Sequence, residues 1–191
     1  MKNKHSVNLV KTKEYRVEGN LHREDGPAVI HPNGRQEWWV SGKRHRIDGP
    51  AIIDADGSEC WCQNGVIHRE DGPARIYSNG RQEWWVEGKL HRIDGPAAIY
   101  QDGTQGWYQN DKTHRLGGPA IIYSSGREEW WVEGHIHRLD GPAVIHPNGP
   151  QEWWVNNQCV GIDDKGFWAL WEMLNSDQRE NATLLAFLLK F

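Results

Sequence analysis

The chain has 191 residues, a formal net charge of -4, 21 glycines and 12 tryptophans. Its Lys and Arg residues alternate with Asp and Glu, which argues against binding long nucleic acid through the phosphates. Three cysteines without framework spacing argue against a secreted disulfide scaffold, and the longest apolar run, Leu184 to Leu189, is too short to span a bilayer.

Residues 1–21 form the opening segment. Met1 to Val7 has no apolar core of the kind a signal peptide needs, so a cytoplasmic location is expected. Glu14 to Leu21 aligns with the second half of the unit that follows and reads as a degenerate half-repeat.

Residues 22–159 hold six copies of one 23-residue unit, starting at His22, His45, His68, His91, His114 and His137 without insertion. A generic copy reads H-R-x-D-G-P-A-x-I-x-x-x-G-x-x-x-W-(aromatic)-x-x-G-x-x. In-phase copies of this length mean an array whose units pack on their neighbours. In the first copy Ala28 to His31 is a short β-type run, Pro32-Asn33-Gly34 is a turn, and Gln36 to Val40 is rich in strand formers. Each copy is expected to be one hairpin plus a connecting loop, giving twelve strands in an antiparallel meander.

Every copy has Ala in one slot (Ala28 in the first), Ile two residues on (Ile30) and Trp on the second strand (Trp38). A three-residue turn with Ile30 opposite Trp38 gathers these apolar slots on one inward face; a two-residue turn would set Ile30 opposite Glu37. The other face then carries an aromatic stripe: Trp39, Tyr77, Trp85, Tyr100, Tyr108, Tyr123, Trp131 and Trp154. Such residues make interface hot spots and also stack on sugars and bases. The stripe is the candidate binding surface. Its two readings are packing beneath a cap or second subunit, and contact with a partner or small ligand.

The His-Arg-x-Asp-Gly-Pro loop has side chains suited to acid–base or metal chemistry. It recurs six times at equal spacing, however, and six equal active sites are not a sensible design. Equivalent histidines about 10 Å apart cannot share a metal whose ligands sit near 2 Å. A turn built by Gly-Pro, with Asp accepting N–H groups and Arg bridging to a neighbouring loop, explains the motif structurally. Copy five has Gly117 in place of Asp. Cys60-x-Cys62 lacks a second pair and reads as packing. No metal, cofactor or catalytic residue is expected, and the chain reads as a non-enzyme.

Residues 160–191 begin like a seventh copy and turn helical. Asp163 or Asp164 caps a first helix with Phe167, Leu170, Trp171 and Leu174 on one face; Ser176 or Asp177 caps a second with Leu184, Leu185, Phe187 and Leu188. These helices are expected to cap the array. Phe167, Trp168 and Trp171 are the alternative surface, for a homodimer or a partner.

The 23-residue period, the x-N-G turn and the W-x-x-G-K step resemble MORN repeats. They are closer to the divergent H-R-x-D-G-P-A repeats of bacteria, phages and large DNA viruses. The resemblance spans residues 22–159, but the Gly34-to-Gly42 step is shorter than the family's and Y-x-G-x-W is missing. What it implies is an elongated, twisted antiparallel sheet; with the C-terminal segment, the chain is expected to be mainly β, an array of antiparallel hairpins with a short helical cap in one structural domain. It also implies protein binding, sometimes membrane binding, and no reaction. A viral inhibitor of a host defence factor, acting in the host cytoplasm, is the concrete form of that expectation. Capture of a nucleotide or glycan in an aromatic groove is the other.

Overall fold

The computed structural model describes residues 11–163, 165–174 and 176–179. The fold is mainly β, as the repeat predicts. Fourteen strands form one antiparallel sheet in sequence order, with two short helical segments near the C-terminus. The chain divides into two compact units, Met1–Gly80 with Trp85–Gly88 and Arg81–Trp84 with Lys89–Phe191.

In the first unit, Val29 pairs with Glu37 and Ile30 with Gln36. The backbone N–H groups of His31 and Gly34 donate to the carbonyls of Arg35 and His31. Pro32-Asn33-Gly34 is therefore a three-residue turn closed by Gly34 in the left-handed region, at φ 92°. The turn length is the expected one, but Ile30 faces Gln36 and not Trp38. Pairing is symmetric about Asn33, and that symmetry settles the register.

The connecting segment, where Ser41-Gly42-Lys43 reads in sequence as a second turn within a loop, is a second hairpin. Trp39 pairs with Arg44 and Val40 with Lys43, across Ser41 (φ 47°) and Gly42 (φ 73°). Positive φ at both central residues is the two-residue turn whose twist matches the flanking strands. Each of the first five copies thus adds two strands to the main sheet and one small ribbon beside it. Trp38 sits where the two meet: its N–H donates to the Ala51 carbonyl, and its carbonyl accepts from the His45 N–H.

The second unit repeats this register, with Ala98 opposite Gly106, Ile121 opposite Glu129 and Val144 opposite Glu152. It ends in two longer strands, Gln151–Val155 and Gln158–Ile162. Helix α1 (Lys165–Met173) lies against them. Leu174, just past α1, is buried against Trp153, and Leu139, Val155 and Val160 close the cluster. The side chains of Phe167 and Leu170, and the helix expected around Leu184, Leu185, Phe187 and Leu188, lie outside the described residues. Asp163 is a turn residue at φ 62° whose N–H donates to Gln151; it does not lead directly into α1.

Burial differs from the expected division into faces. The Ala slot is fully buried in all six copies, at 0%. The Ile slot is half-buried throughout, and the Trp slot is buried only at Trp107 and Trp153. The more variable face holds much of the interior: Val29, Ile52, Ala98 and Val144, with Glu37, Glu83 and Glu129 among them. The largest fully buried side chain among the described residues is Val144. A core that thin contributes little by apolar burial, so ladder hydrogen bonds and recurrent polar contacts must supply much of the stability.

Candidate functional site

A buried carboxylate organises the variable face. It comes from the residue before the unvarying Trp, buried at Glu37, Glu83 and Glu129 and half-buried at Glu152, with Cys60 and Gly106 in copies two and four. In the first unit, Glu37 accepts from Trp39 Nε1 (3.1 Å), Arg35 Nε (2.9 Å) and Arg44 Nε (3.2 Å), and lies 3.2 Å from His31 Nε2. Burial pushes the Glu37 carboxyl up, but Arg44, His31 and Arg35 outweigh it and hold the group below the usual carboxylate range.

In the second unit, Glu129 is only 3% exposed. It accepts from Trp131 Nε1 (2.9 Å) and the Tyr123 hydroxyl (3.3 Å), and pairs with Arg127 Nη2 at 2.6 Å. Glu152 accepts from Trp154 Nε1 (2.8 Å) beside His146 Nε2 (2.9 Å). Burial raises its carboxyl, and His146 and Trp154 bring it below its ordinary value. Arg81 pairs with Glu83 in the same way. Copy four has no carboxylate. Gly106 takes its place, and a Cβ there would meet the Tyr108 ring at 2.7 Å. Burial, with Tyr100 beside it, pushes the Tyr108 hydroxyl up to about 12.

All eight stripe residues are half-buried. Trp39, Tyr77 and Trp85 lie in the first unit; Tyr100, Tyr108, Tyr123, Trp131 and Trp154 lie in the second. Sequence reasoning missed the carboxylates beneath them. The signal was present: Glu precedes the unvarying Trp in the same four copies in which a second Trp follows it.

Copy two replaces the carboxylate with sulfur. Cys60 and Cys62 are free, buried and 3.7 Å apart at Sγ, and Arg75 stands opposite Cys60 across the sheet. The hydrogen bond from Cys62, with help from Arg75, holds the Cys60 thiol down at about 6, while that same contact and burial push Cys62 well up. The Cys60 sulfur thus occupies the slot that a carboxylate fills in copies one, three, five and six.

The His-Arg loops tie each copy to its neighbour by the same His and Arg contacts. His Nδ1 lies 3.1–3.3 Å from a backbone N–H 19 residues on, as in His22 with Ser41 and His137 with Asn156. The ring can accept only while that nitrogen is unprotonated. Each Arg lies over an aromatic ring of the preceding copy: Arg46 over Trp38 at 4.3 Å, Arg69 over Trp61 at 4.2 Å, Arg92 over Trp84 at 4.3 Å. A Cβ on the loop glycine would press on the other side of the guanidinium, at 2.8 Å for Gly95 and Arg92 Cζ. In every copy but the fifth, Arg Nε donates to the Asp of its own loop, and in all six Nη1 donates to that loop's Pro carbonyl. The expected bridge to a neighbouring loop is thus made by stacking, not by an ion pair to Asp.

Clefts of about 660 Å³ lie between successive loops of the first unit, one lined by Ile47, Pro50, Trp61, Arg69 and Asp71. Arg69 already covers one face of Trp61 there. No group of three or more His, Cys, Asp or Glu placed to hold a metal occurs among the described residues. Of the C-terminal candidates, Trp168 is exposed, and Trp171 is half-buried with Arg179 5.5 Å over its ring. No described helix is long and apolar enough to cross a membrane.

No family model matches the chain, and a search of the curated proteins returns no match.

Proposed function

We propose that this chain is a non-enzymatic binding protein that engages another protein through the tryptophans of its variable face. One observation carries the reading: the indole N–H groups of Trp39, Trp131 and Trp154 each donate to the glutamate two residues before them, at 3.1, 2.9 and 2.8 Å. A ring tied at its nitrogen and packed along one edge has already lost its rotamer freedom. Its remaining exposed surface then binds at low entropic cost. Rigid aromatic side chains in a polar surround, here of Arg, His and Tyr, are the usual anchors of protein interfaces. Action in the cytoplasm, where three free thiols persist, is part of the proposal.

The test is native mass spectrometry of the chain isolated from its source cells, followed by calorimetry with whatever co-purifies. A bound protein supports the reading, and a small-mass adduct instead of a protein contradicts it. Truncating a central anchor costs about 2 kcal/mol or more, roughly a 30-fold loss per residue. The double variant Trp131→Ala/Trp154→Ala should therefore abolish capture, and unchanged affinity would sink the assignment of this face.

A further inference from the structure

The third position of the His-Arg loops carries a second surface in the second unit. Ile93 and Leu116 occupy that position in copies four and five, and their side chains are 79% and 76% exposed. The same slot in copy six is Leu139, which is packed under the helical segment with Leu174 and Trp153. The next loop residue records the same cover. The Asp140 side chain is 16% exposed, whereas Asp94 in copy four is 85% exposed. The chain thus shows on one loop what covers an apolar residue at this slot, and leaves two neighbouring loops bare.

Copy five differs again, in charge. Five loop arginines donate Nε to an Asp of their own loop, as Arg92 does to Asp94 and Arg138 to Asp140. Arg115 has Gly117 at that place. It donates Nη1 to the Pro119 carbonyl at 2.9 Å and lies 4.0 Å over Trp107, with no carboxylate partner among the described residues. A Cβ at Gly117 would meet nothing within 4 Å, so the place of the missing carboxylate is open from outside.

We propose that Ile93, Leu116 and Arg115 form a docking site for an amphipathic helix of a partner protein. Its apolar residues cover Ile93 and Leu116, and its acidic side chain takes the Arg115 Nε that Gly117 leaves unmet. Spacing favours a helix. Equivalent slots two strands apart are separated by about 10 Å, and residues seven apart on a helix by about 10.5 Å. A helix laid across the loops thus presents one apolar residue to each. The carboxylate supplies register, since a charge-assisted bond to guanidinium is directional where apolar contact is not.

The experiment uses the full chain and a displayed library of amphipathic helices, randomised on both faces, with enriched peptides measured by fluorescence anisotropy. Enriched helices should carry apolar residues seven apart and an Asp or Glu between them. Their affinity should fall at least tenfold on Leu116→Asp, on Ile93→Asp and on Gly117→Asp, which restores the carboxylate in cis. Gly117→Ala, equally strained at φ 78°, should bind as the parent does. Trp131→Ala should leave this binding unchanged, which separates the site from the aromatic face. Circular dichroism confirms that each variant is folded. The proposal is overturned if no helix enriches, if enriched helices bind the three variants with parental affinity, or if sedimentation shows a dimer of the chain that Leu116→Asp dissociates.

Discussion

Replacing Glu129 by Ala should destabilise the second unit by about 2–4 kcal/mol. The substitution strands three donors that meet at one carboxylate: Arg127 Nη2, Trp131 Nε1 and the Tyr123 hydroxyl. Breaking a buried ion pair from one side costs roughly 3–5 kcal/mol, and an orphaned neutral donor about 1–3 kcal/mol. Those figures do not add in full, because the Arg127 side chain is 37% exposed and turns back to water once released. Glu129→Gln keeps an acceptor for the indole but cannot neutralise Arg127, so it should recover about half the loss. Urea denaturation reads the effect: with a slope of about 2 kcal/mol per molar, the midpoint falls by about 1–2 M at unchanged slope. Glu128→Ala, one residue away and half-buried, should cost under about 0.5 kcal/mol. If the two alanine variants unfold together, the carboxylate is not what organises this face.

Trp84→Ala should cost about 2–3 kcal/mol, below the range for a fully buried Trp because Trp84 is half-buried, and calorimetric melting measures it. Gly95→Ala should lower the melting point too, because the new Cβ would lie 2.8 Å from Arg92 Cζ, and the guanidinium, held between that Cβ and Trp84, must leave its present position. Burial holds the His137 ring below its ordinary pKa. Its contribution is therefore fully present above pH about 6.5 and is lost as pH falls through the lowered folded value. Urea midpoints at pH 7.5 and 5 should differ less in His137→Asn than in the parent, and an equal difference would refute the assignment. Titration with a thiol reagent should find Cys159 alone reactive in the native chain, with Cys60 and Cys62 reacting only on unfolding; fast reaction of all three would contradict their burial.

How much of this was legible in sequence follows from which physical signals are periodic. The 23-residue phase announced the hairpins, and Pro32-Asn33-Gly34 announced a three-residue turn. The turn at Ser41-Gly42 was legible, but not the strand pairing across it, because the central pair changes from copy to copy: Ser41-Gly42, Asn64-Gly65, Glu87-Gly88, Asn110-Asp111. What these pairs share is positive φ at both residues, a backbone property that several side chains tolerate. The face assignment held for the Ala slot and failed for the Trp slot, for a related reason. Sameness marked the Ala, Ile and Trp slots as interior, yet the Trp slot is held constant by the arginine stacked on it, as with Trp38 and Arg46. The buried glutamates were hidden because a charge between a strand former and a Trp reads as solvent-facing until its partners are placed around it. The aromatic stripe was visible as a list of residues; that Glu129 and Glu152 hold its indoles was not.

One 23-residue copy is one structural module, its hairpins, Arg stack and His contact handed on to the next. Deleting His114–Ile136 joins Thr113 to His137 and restores every phase. The shortened chain should keep its β-type far-ultraviolet circular dichroism and one cooperative thermal transition. Deleting only the first 11 residues of that copy breaks the phase and should abolish cooperative unfolding. Loss of the folded state on removing the whole copy, or its retention on removing half, would contradict the account.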